Sequence, residues 1–280
     1  MGISVLMSIY GKEKTEYFQA AMESILAQTY PADEIVLIQD GPLTPELTDM
    51  IEKYQILLDD RRREQGLNRP RFLTYRFPEN VKLGLALKKG VELCTNEYIA
   101  RMDTDDIAKT GRLELQFHYM QTHPELAVLG GAIEEFSDDG GIHRIKHMPV
   151  GSINVKNYAK YRNPVNHMTV MMKKSAVLSS GSYEHFPNLE DYDLWIRVLA
   201  KGYQIDNLPD VLVEARTNAD FYGKRGGAGY WKRYMELRKK EYMLGNLTFF
   251  QYLKACILTT AMVASPGGMR KLFYRILRKT

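Results

Sequence analysis

Apolar positions in the first hundred residues fall into short blocks that alternate between two periods. Ile3–Ile9 and Glu34–Gln39, the latter with Ile-Val-Leu-Ile at its middle, are continuous runs bounded by turn residues. Such runs predict strands buried on both faces. Between them, Phe18, Ala21, Met22, Ile25 and Leu26 recur at helical spacing over Thr15–Gln28, which Pro31 stops. Pro45–Leu58 repeats that spacing through Leu47, Ile51 and Tyr54, and Asp59–Pro70 reads as a charged loop. Arg71–Phe77 predicts a third strand, Leu85–Cys94 a helix and Tyr98–Met102 a fourth strand. Strands alternating with helices predict an α/β fold, a mostly parallel sheet with helices on both faces.

The alternation then loosens. Arg112–Thr122 is helical and stops before Pro124. Ala132–Phe136 and Ile142–Lys146 flank Asp138-Asp-Gly-Gly141 and read as a hairpin or a loop excursion. Asn166–Lys173 contains another strand, Leu189–Ala200 is a helix stopped by Gly202, and Gln204–Asn207 and Val211–Ala215 are short strands. No internal repeat or low-complexity segment interrupts the pattern.

Ligands in such sheets bind at the carboxyl ends of strands, near the switch point. Ser8, Asp40 and Asp103–Asp106 all fall at predicted strand ends. The last is the most informative: Tyr98-Ile-Ala-Arg-Met runs into Asp103, Asp105 and Asp106. Residues two apart on an extended chain point the same way, so Asp-x-Asp suits a hard divalent cation that completes its shell with phosphate oxygens. A solvated turn with a helix cap is the alternative for this motif alone.

Composition changes the picture in one place. At 280 residues, 45% hydrophobic and 26% charged, the chain is ordinary for a globular protein with a large core. Cys94 and Cys256 each lie in apolar stretches and read as core residues of a reducing compartment, not a disulfide framework. The apolar N-terminus lacks a basic leader region and cleavage site, and no run approaches the ~20 apolar residues that span a bilayer. The net charge of +4, however, is unevenly spread. Residues 1–223 carry 25 Lys and Arg against 32 Asp and Glu, whereas residues 224–280 carry 13 against 2. The acidic body and basic tail therefore predict two regions, 1–220 and a helical extension over 221–280.

Six segments in order resemble glycosyltransferase family 2, inverting enzymes with the GT-A fold, a Rossmann-like nucleotide-binding arrangement. They are Ser4–Tyr10, Ser24–Tyr30, Asp33–Gly41, Asn80–Ala86, Asp103-Thr-Asp-Asp106 and Glu190-Asp-Tyr-Asp-Leu-Trp195. The likeness covers roughly residues 3–215. Arg101–Ile107 and Arg225-Gly-Gly227 carry a narrower similarity to bacterial exopolysaccharide, capsule and O-antigen transferases. The resemblance implies a nucleotide-sugar donor, a UDP-sugar first among them, and Mn²⁺ or Mg²⁺ as cofactor. Ser8 and Tyr10 would line the nucleotide pocket, Asp40 would bond the uracil, and Lys82, Gly84 and Lys88 would wrap the nucleotide. A glycine at 84 permits close approach of backbone to ligand, or merely helix entry. Asp105 matches the main metal ligand, Asp103 sits toward the ribose or the metal, and Asp106 is a supporting residue or a helix cap. Where relatives often have two acids, this chain has Gln39-Asp40.

The Glu190-Asp191 pair implies a general base, and Asp191 is the candidate. With Asn188 as N-cap, Asp191 falls in the first helical turn, where the helix dipole favours its ionised form; a reciprocal Asn188–Asp191 capping pair is the plainer reading. Trp195, one turn on, is a candidate sugar-stacking residue or a core residue. His167 is a candidate acceptor contact or a structural histidine, and Arg112 a partner of the acidic loop.

In the tail, Phe250, Leu253, Ile257, Ala261 and Ala264 trace one helical stripe. Ser265-Pro266 starts a final helix with Met269, Leu272, Phe273, Ile276 and Leu277 on one face and five basic residues beside it. A basic amphipathic helix reads as membrane-surface binding, or as packing on the body with a solvated charged face. The family resemblance adds a glycan acceptor on a polyprenyl diphosphate, met by a cytoplasmic enzyme docked peripherally on the inner membrane face. Arg225 is a candidate contact to donor or acceptor diphosphate, or part of a linker. Nucleic acid is not expected as a partner. The sequence has no Gly-x-x-x-x-Gly-Lys loop, no Gly-x-Gly-x-x-Gly turn and no Gly-rich first loop of a sugar nucleotidyltransferase. A phosphatase of the haloacid dehalogenase type would carry its Asp motif after the first strand, not the fourth. An inactive, transferase-like membrane scaffold is the nonenzymatic alternative.

Overall fold

A computed structural model describes residues 2–65, 70–217 and 227–264. Among the described residues nine strands form one sheet, β1 (Ile3–Ile9), β2 (Glu34–Gln39), β3 (Arg71–Arg76), β4 (Tyr98–Asp103), β5 (Ile107–Ala108), β6 (Leu126–Phe136), β7 (His143–Lys146), β8 (Met171–Lys173) and β9 (Gln204–Arg216). The helices are α1 (Thr15–Leu26), α2 (Pro45–Gln65), α3 (Leu83–Leu93), α4 (Arg112–Thr122), α5 (Ser152–Ala159), α6 (Lys174–Ser179), α7 (Glu190–Ala200), α8 (Ala228–Met243) and α9 (Phe249–Ala264). Strand order is β3-β2-β1-β4-β8-β6-β9-β5, with β7 paired to β6. The first four strands are parallel, as their alternation with helices requires. Beyond β4 directions mix: β8 is antiparallel to β4 and β6, while β6 and β9 run parallel.

The period of two along each strand divides the core into two layers. Ile3, Val5, Met7 and Ile9 of β1 and Ile35 and Leu37 of β2 pack with Phe18, Leu47 and Phe117 from α1, α2 and α4. Leu6, Val36 and Ile38 point the other way, onto Ala86 and Val91 of α3 and Trp195 of α7. Gly90 makes the close seat of α3 possible, since a Cβ there would lie 2.2 Å from Leu6 Cδ1. A third, smaller cluster joins Tyr192 and Ile196 of α7 to Tyr230, Tyr234 and Leu237 of α8 and Val263 of α9.

Two expectations change. The two short strands at 204–215 are one bent strand, because its register on β6 skips from Gly131↔Leu208 to Ala132↔Val211. The bulge at Pro209-Asp210 conceals the continuity in sequence. The charged segment after Leu58 also continues α2 to Gln65; its Arg, Glu and Gln residues favour helix, and no breaker occurs before Gly66.

Candidate active site

The chain order β3-β2-β1-β4 places a switch point between β1 and β4, where connections leave in opposite directions. Ser8 at the end of β1 is in register with Asp103 at the end of β4. Asp103, Asp105 and Asp106 each bring one carboxylate oxygen within 4.8 Å of the others. Below them lies Arg101, two residues back on the same face of β4 and 2% exposed. Its Nη1 donates to Asp103 Oδ2 at 2.6 Å and its Nη2 to the other oxygen. The main-chain N–H of Arg216 donates to Asp106 Oδ1 at 2.8 Å, and its Nε to the Asp105 carbonyl at 3.1 Å. The end of β9 thus clamps the acidic turn. Thr104 donates to Glu13 Oε2 at 2.8 Å, bringing a fourth acid close. Tyr10 is exposed on the same edge.

The electrostatics are those of a site built for a cation. Burial, then Asp103 and Glu13, push Asp105 up to about 7. Asp106 is raised well above the usual carboxylate range by burial and by its two acidic neighbours. Its Oδ2 is buried with no partner among the described residues. An oxygen donor set of this kind fits Mg²⁺ or Mn²⁺, and Asp105 with Asp103 would hold the ion. Asp106 is tied to β9 and caps no helix: α4 begins after Gly111.

Asp40, 5% exposed, ties two loops together. Its Oδ1 accepts from the Val81 N–H at 2.6 Å and its Oδ2 from Asn80 Nδ2 at 2.8 Å. Burial raises its pKa against the pull of the Val81 and Lys82 amides. Lys82, exposed and at φ 73°, turns the chain into α3. Lys88 is exposed on α3, and its charge helps to lower the pKa of Glu184. Gly84 serves packing: a Cβ there would lie 2.2 Å from the Glu184 carbonyl oxygen, so the start of α3 rests on protein backbone. Gly84→Ala is therefore expected to destabilise the fold by about 1–3 kcal/mol, measured by denaturant unfolding.

The second acid group opens α7. The expected Asn188 cap is not formed: Leu189 is the N-cap, no side chain caps the helix, and Asn188 has φ 67°. The first turn instead concentrates Glu190, Asp191 and Asp193 at the positive end of the helix. Asp191 is half-buried; its Oδ2 accepts from Asn163 Nδ2 at 2.5 Å and its Oδ1 from the Tyr192 N–H at 2.7 Å. Glu190 is buried, and desolvation followed by Asp191 pushes it up to about 7. Folded protein therefore holds a proton on Glu190 that unfolded chain releases above its ordinary carboxylate pKa. Stability from this group falls as pH rises from about 4.5 to about 7. Glu190→Gln is expected to flatten part of that slope in urea titrations at several pH values.

Asp193 is fully buried, held by Arg197 at 2.8 Å and by Lys240 of α8 at 2.7 Å. Arg101 and Tyr183 link the two acid groups. The field of Arg101 reaches Glu190, and Asp191, Glu190 and Asp103 all oppose ionisation of the Tyr183 phenol.

Trp195 and His167 take the structural one of their two readings, and the expectation for Arg112 is corrected. Trp195 is 0% exposed and packs edge-on to His167 at 6.1 Å, so it is a core residue and no sugar platform. The Nε2 of His167 meets the Tyr183 hydroxyl at 2.8 Å, and burial and Arg101 hold its pKa well below the imidazole range. The ring is neutral and serves the interior. Arg112 braces strands, not the acidic loop: its Nη2 donates to the carbonyls of Arg101 at 2.7 Å and Val170 at 3.4 Å. Arg225 lies outside the described residues, as does the expected final helix after Ser265. Arg101, Asn163 and Arg216 are site residues that sequence alone does not single out. The i, i+2 spacing of Arg101 and Asp103 is a local signal for the first; the others depend on long-range contacts.

An α/β sheet of this order with carboxylates gathered at its switch point has the GT-A arrangement. The chain belongs to glycosyl transferase family 2, whose model matches residues 4–186. It is 37% identical over 276 residues to the amylovoran biosynthesis glycosyltransferase AmsE of Erwinia amylovora, covering 99% of each chain. It is 30% identical over 275 residues to a UDP-Gal:alpha-D-GlcNAc-diphosphoundecaprenol beta-1,3-galactosyltransferase of Escherichia coli, covering 97% of this chain and 94% of that one. Among solved structures, S. aureus TarS 1–349 in complex with UDP-GlcNAc superposes with a TM-score of 0.67 at 15% identity, covering 91% of this chain and 70% of that one. The protein is a glycosyltransferase.

Proposed function

We propose that the enzyme moves a sugar from a UDP-sugar, with inversion, to a hydroxyl of a glycan on a polyprenyl diphosphate, in bacterial surface polysaccharide synthesis. The observation that carries this is the pairing of a cation-ready acid cluster with a second, solvent-reachable acid at the start of α7. Full-length similarity to a transferase named for a diphosphoundecaprenol acceptor supports the substrate class.

Asp191 takes the proton of the acceptor hydroxyl as its oxygen attacks the anomeric carbon from the face opposite the diphosphate. The bond from that carbon to the diphosphate oxygen breaks, and UDP leaves with the electron pair. Asn163 orients the Asp191 carboxylate. Glu190 is buried beside it, so Asp191 is the acid of the pair that an acceptor hydroxyl can reach. Mn²⁺ or Mg²⁺ on Asp105 and Asp103 would offset the charge developing on the diphosphate. Ser8, Tyr10 and Asp40 receive the nucleotide, and Lys82 and Lys88 lie on the segment that wraps it. The test is release of nucleoside diphosphate from UDP-, GDP- and dTDP-sugars with Mn²⁺ or EDTA. Metal-dependent release from one donor names the sugar. Nucleotide binding with no turnover, even when a diphosphate-linked acceptor is supplied, would favour the inactive scaffold.

The C-terminal helices supply the proposed contact with an anionic membrane. On α9 the side that packs is Ala255, Thr259 and Val263, while Phe250 is 81% exposed and Ile257 68%. The apolar stripe, Leu253 included, thus faces outward, with Phe249 and Leu258 beside it. Among the described residues no helix is long and apolar enough to cross a membrane. The arrangement suits a helix lying in the interface, on the cytoplasmic face where nucleotide sugars are found. Phe250→Glu with Ile257→Glu is expected to cut sedimentation with anionic phosphatidylglycerol vesicles by about tenfold or more, since each buried side chain contributes about 1.5–3 kcal/mol. Unchanged sedimentation would remove the proposal.

A further inference from the structure

Arg238 of α8 is 1% exposed, far from the acid cluster in sequence, and has more partners than packing alone requires. Its Nη1 donates to the Tyr192 hydroxyl at 2.8 Å, to Glu241 at 2.8 Å and to the Lys160 carbonyl at 3.3 Å. Its Nη2 donates to the Tyr161 carbonyl at 2.6 Å, and its Nε to Thr259 of α9 at 3.3 Å. The Tyr192 hydroxyl in turn donates to the Ala159 carbonyl at 2.5 Å. These bonds converge on two of the supports of Asp191. Tyr192 is its neighbour on α7, and carbonyls 160 and 161 precede Asn163, whose amide grips the Asp191 carboxylate.

Burying a guanidinium costs several kcal/mol of desolvation, and an apolar side chain of similar volume would fill the space more cheaply. The rigid fork of five donors is what spans a phenol and two carbonyls at fixed spacing; a lysine ammonium does not. We infer that Arg238 is a positioning residue for the general base, so that the C-terminal helical pair is part of the catalytic machinery and not only a means of delivery to the membrane. The inference rests on Asp191 being the base.

The test uses the full chain with Mn²⁺ and the donor that turns over in the panel above, water or a diphosphate-linked N-acetylglucosamine being the acceptor. Tyr192→Phe keeps the packing and removes the hydroxyl through which Arg238 holds α7. It is expected to lower kcat by about 10- to 100-fold, the scale of a misplaced reacting group. Donor KM, UDP affinity by calorimetry and thermal midpoint should stay close to those of the parent. The acid limb of the kcat–pH profile should move up, because a loosened Asn163 stabilises the ionised carboxylate less. Asn163→Ala should do the same, and the double variant should be little worse than Asn163→Ala alone. Arg238→Lys should show the same fall in kcat and the same shift of the acid limb, with a lower thermal midpoint because more buried partners lose their donor.

Losses that multiply in the double variant, or a kcat loss matched by weaker UDP binding with no movement of the acid limb, would overturn the inference. So would full activity of Tyr192→Phe and Arg238→Lys beside an inactive Asp191→Asn, which would leave the base assignment standing. Turnover retained by Asp191→Asn would instead overturn the base assignment itself, and the positioning role with it.

Discussion

Asp105→Ala is expected to lower metal-dependent release of UDP by about 1,000-fold or more. A cation at a departing diphosphate supplies several kcal/mol, and each 1.4 kcal/mol is about tenfold in rate. EDTA should reproduce the loss in the parent protein, and Mn²⁺ should restore the parent but not the variant. Asp105 is the decisive position because its carboxylate, among the described residues, is tied to neither Arg101 nor the Arg216 amide, unlike those of its two neighbours. Asp103 is gripped by Arg101, and Asp106 is held by the Arg216 amide. Calorimetry with Mn²⁺ and UDP checks the cause: the variant should lose metal-dependent nucleotide binding. If Asp105→Ala bound UDP and Mn²⁺ like the parent, the cation would have to be held elsewhere.

The second large effect is expected from Asp191→Asn. It preserves the shape of the side chain and removes its capacity to take a proton. A general base contributes about 10²–10⁴-fold, so kcat should fall by that factor while UDP affinity and thermal midpoint change little. Glu190→Gln should cost less, since Glu190 is buried and less open to the acceptor than Asp191. The comparison is made with saturating donor at pH 7–8. A variant Glu190→Gln that is the more damaged of the two would exchange their roles.

The parallel half of the fold was legible because each element announced itself locally. Ile3–Ile9 and Glu34–Gln39 are apolar runs with turn residues at their ends, and Phe18, Met22 and Ile25 keep helical spacing. The acidic cluster was legible for the same reason, since three carboxylates within four residues ending a strand need no tertiary information. What escaped depends on distant partners. Trp195 lies on the same helix as Asp191, and its sequence does not tell that α7 buries it against His167. Gly84 serves Glu184, a hundred positions away, and Arg238 serves Tyr192 across a helix packing. The apolar stripe of α9 was visible in sequence, but which face it presents was decided by the small side of the helix, Ala255 and Thr259, fitting the body more closely.

The pairing beneath the acid cluster bears on how such a site decays. Arg101 is buried and keeps its charge, so Asp103 cannot be lost by drift without orphaning a cation in the interior, at a cost of about 3–5 kcal/mol. Asp105 carries no such folding debt; burial and its neighbours already resist its ionisation. A lineage abandoning catalysis while keeping this fold would shed Asp105 first and retain Arg101 and Asp103 together. A descendant with that signature, an intact Arg-x-Asp and a missing second acid, marks a transferase that has become a scaffold.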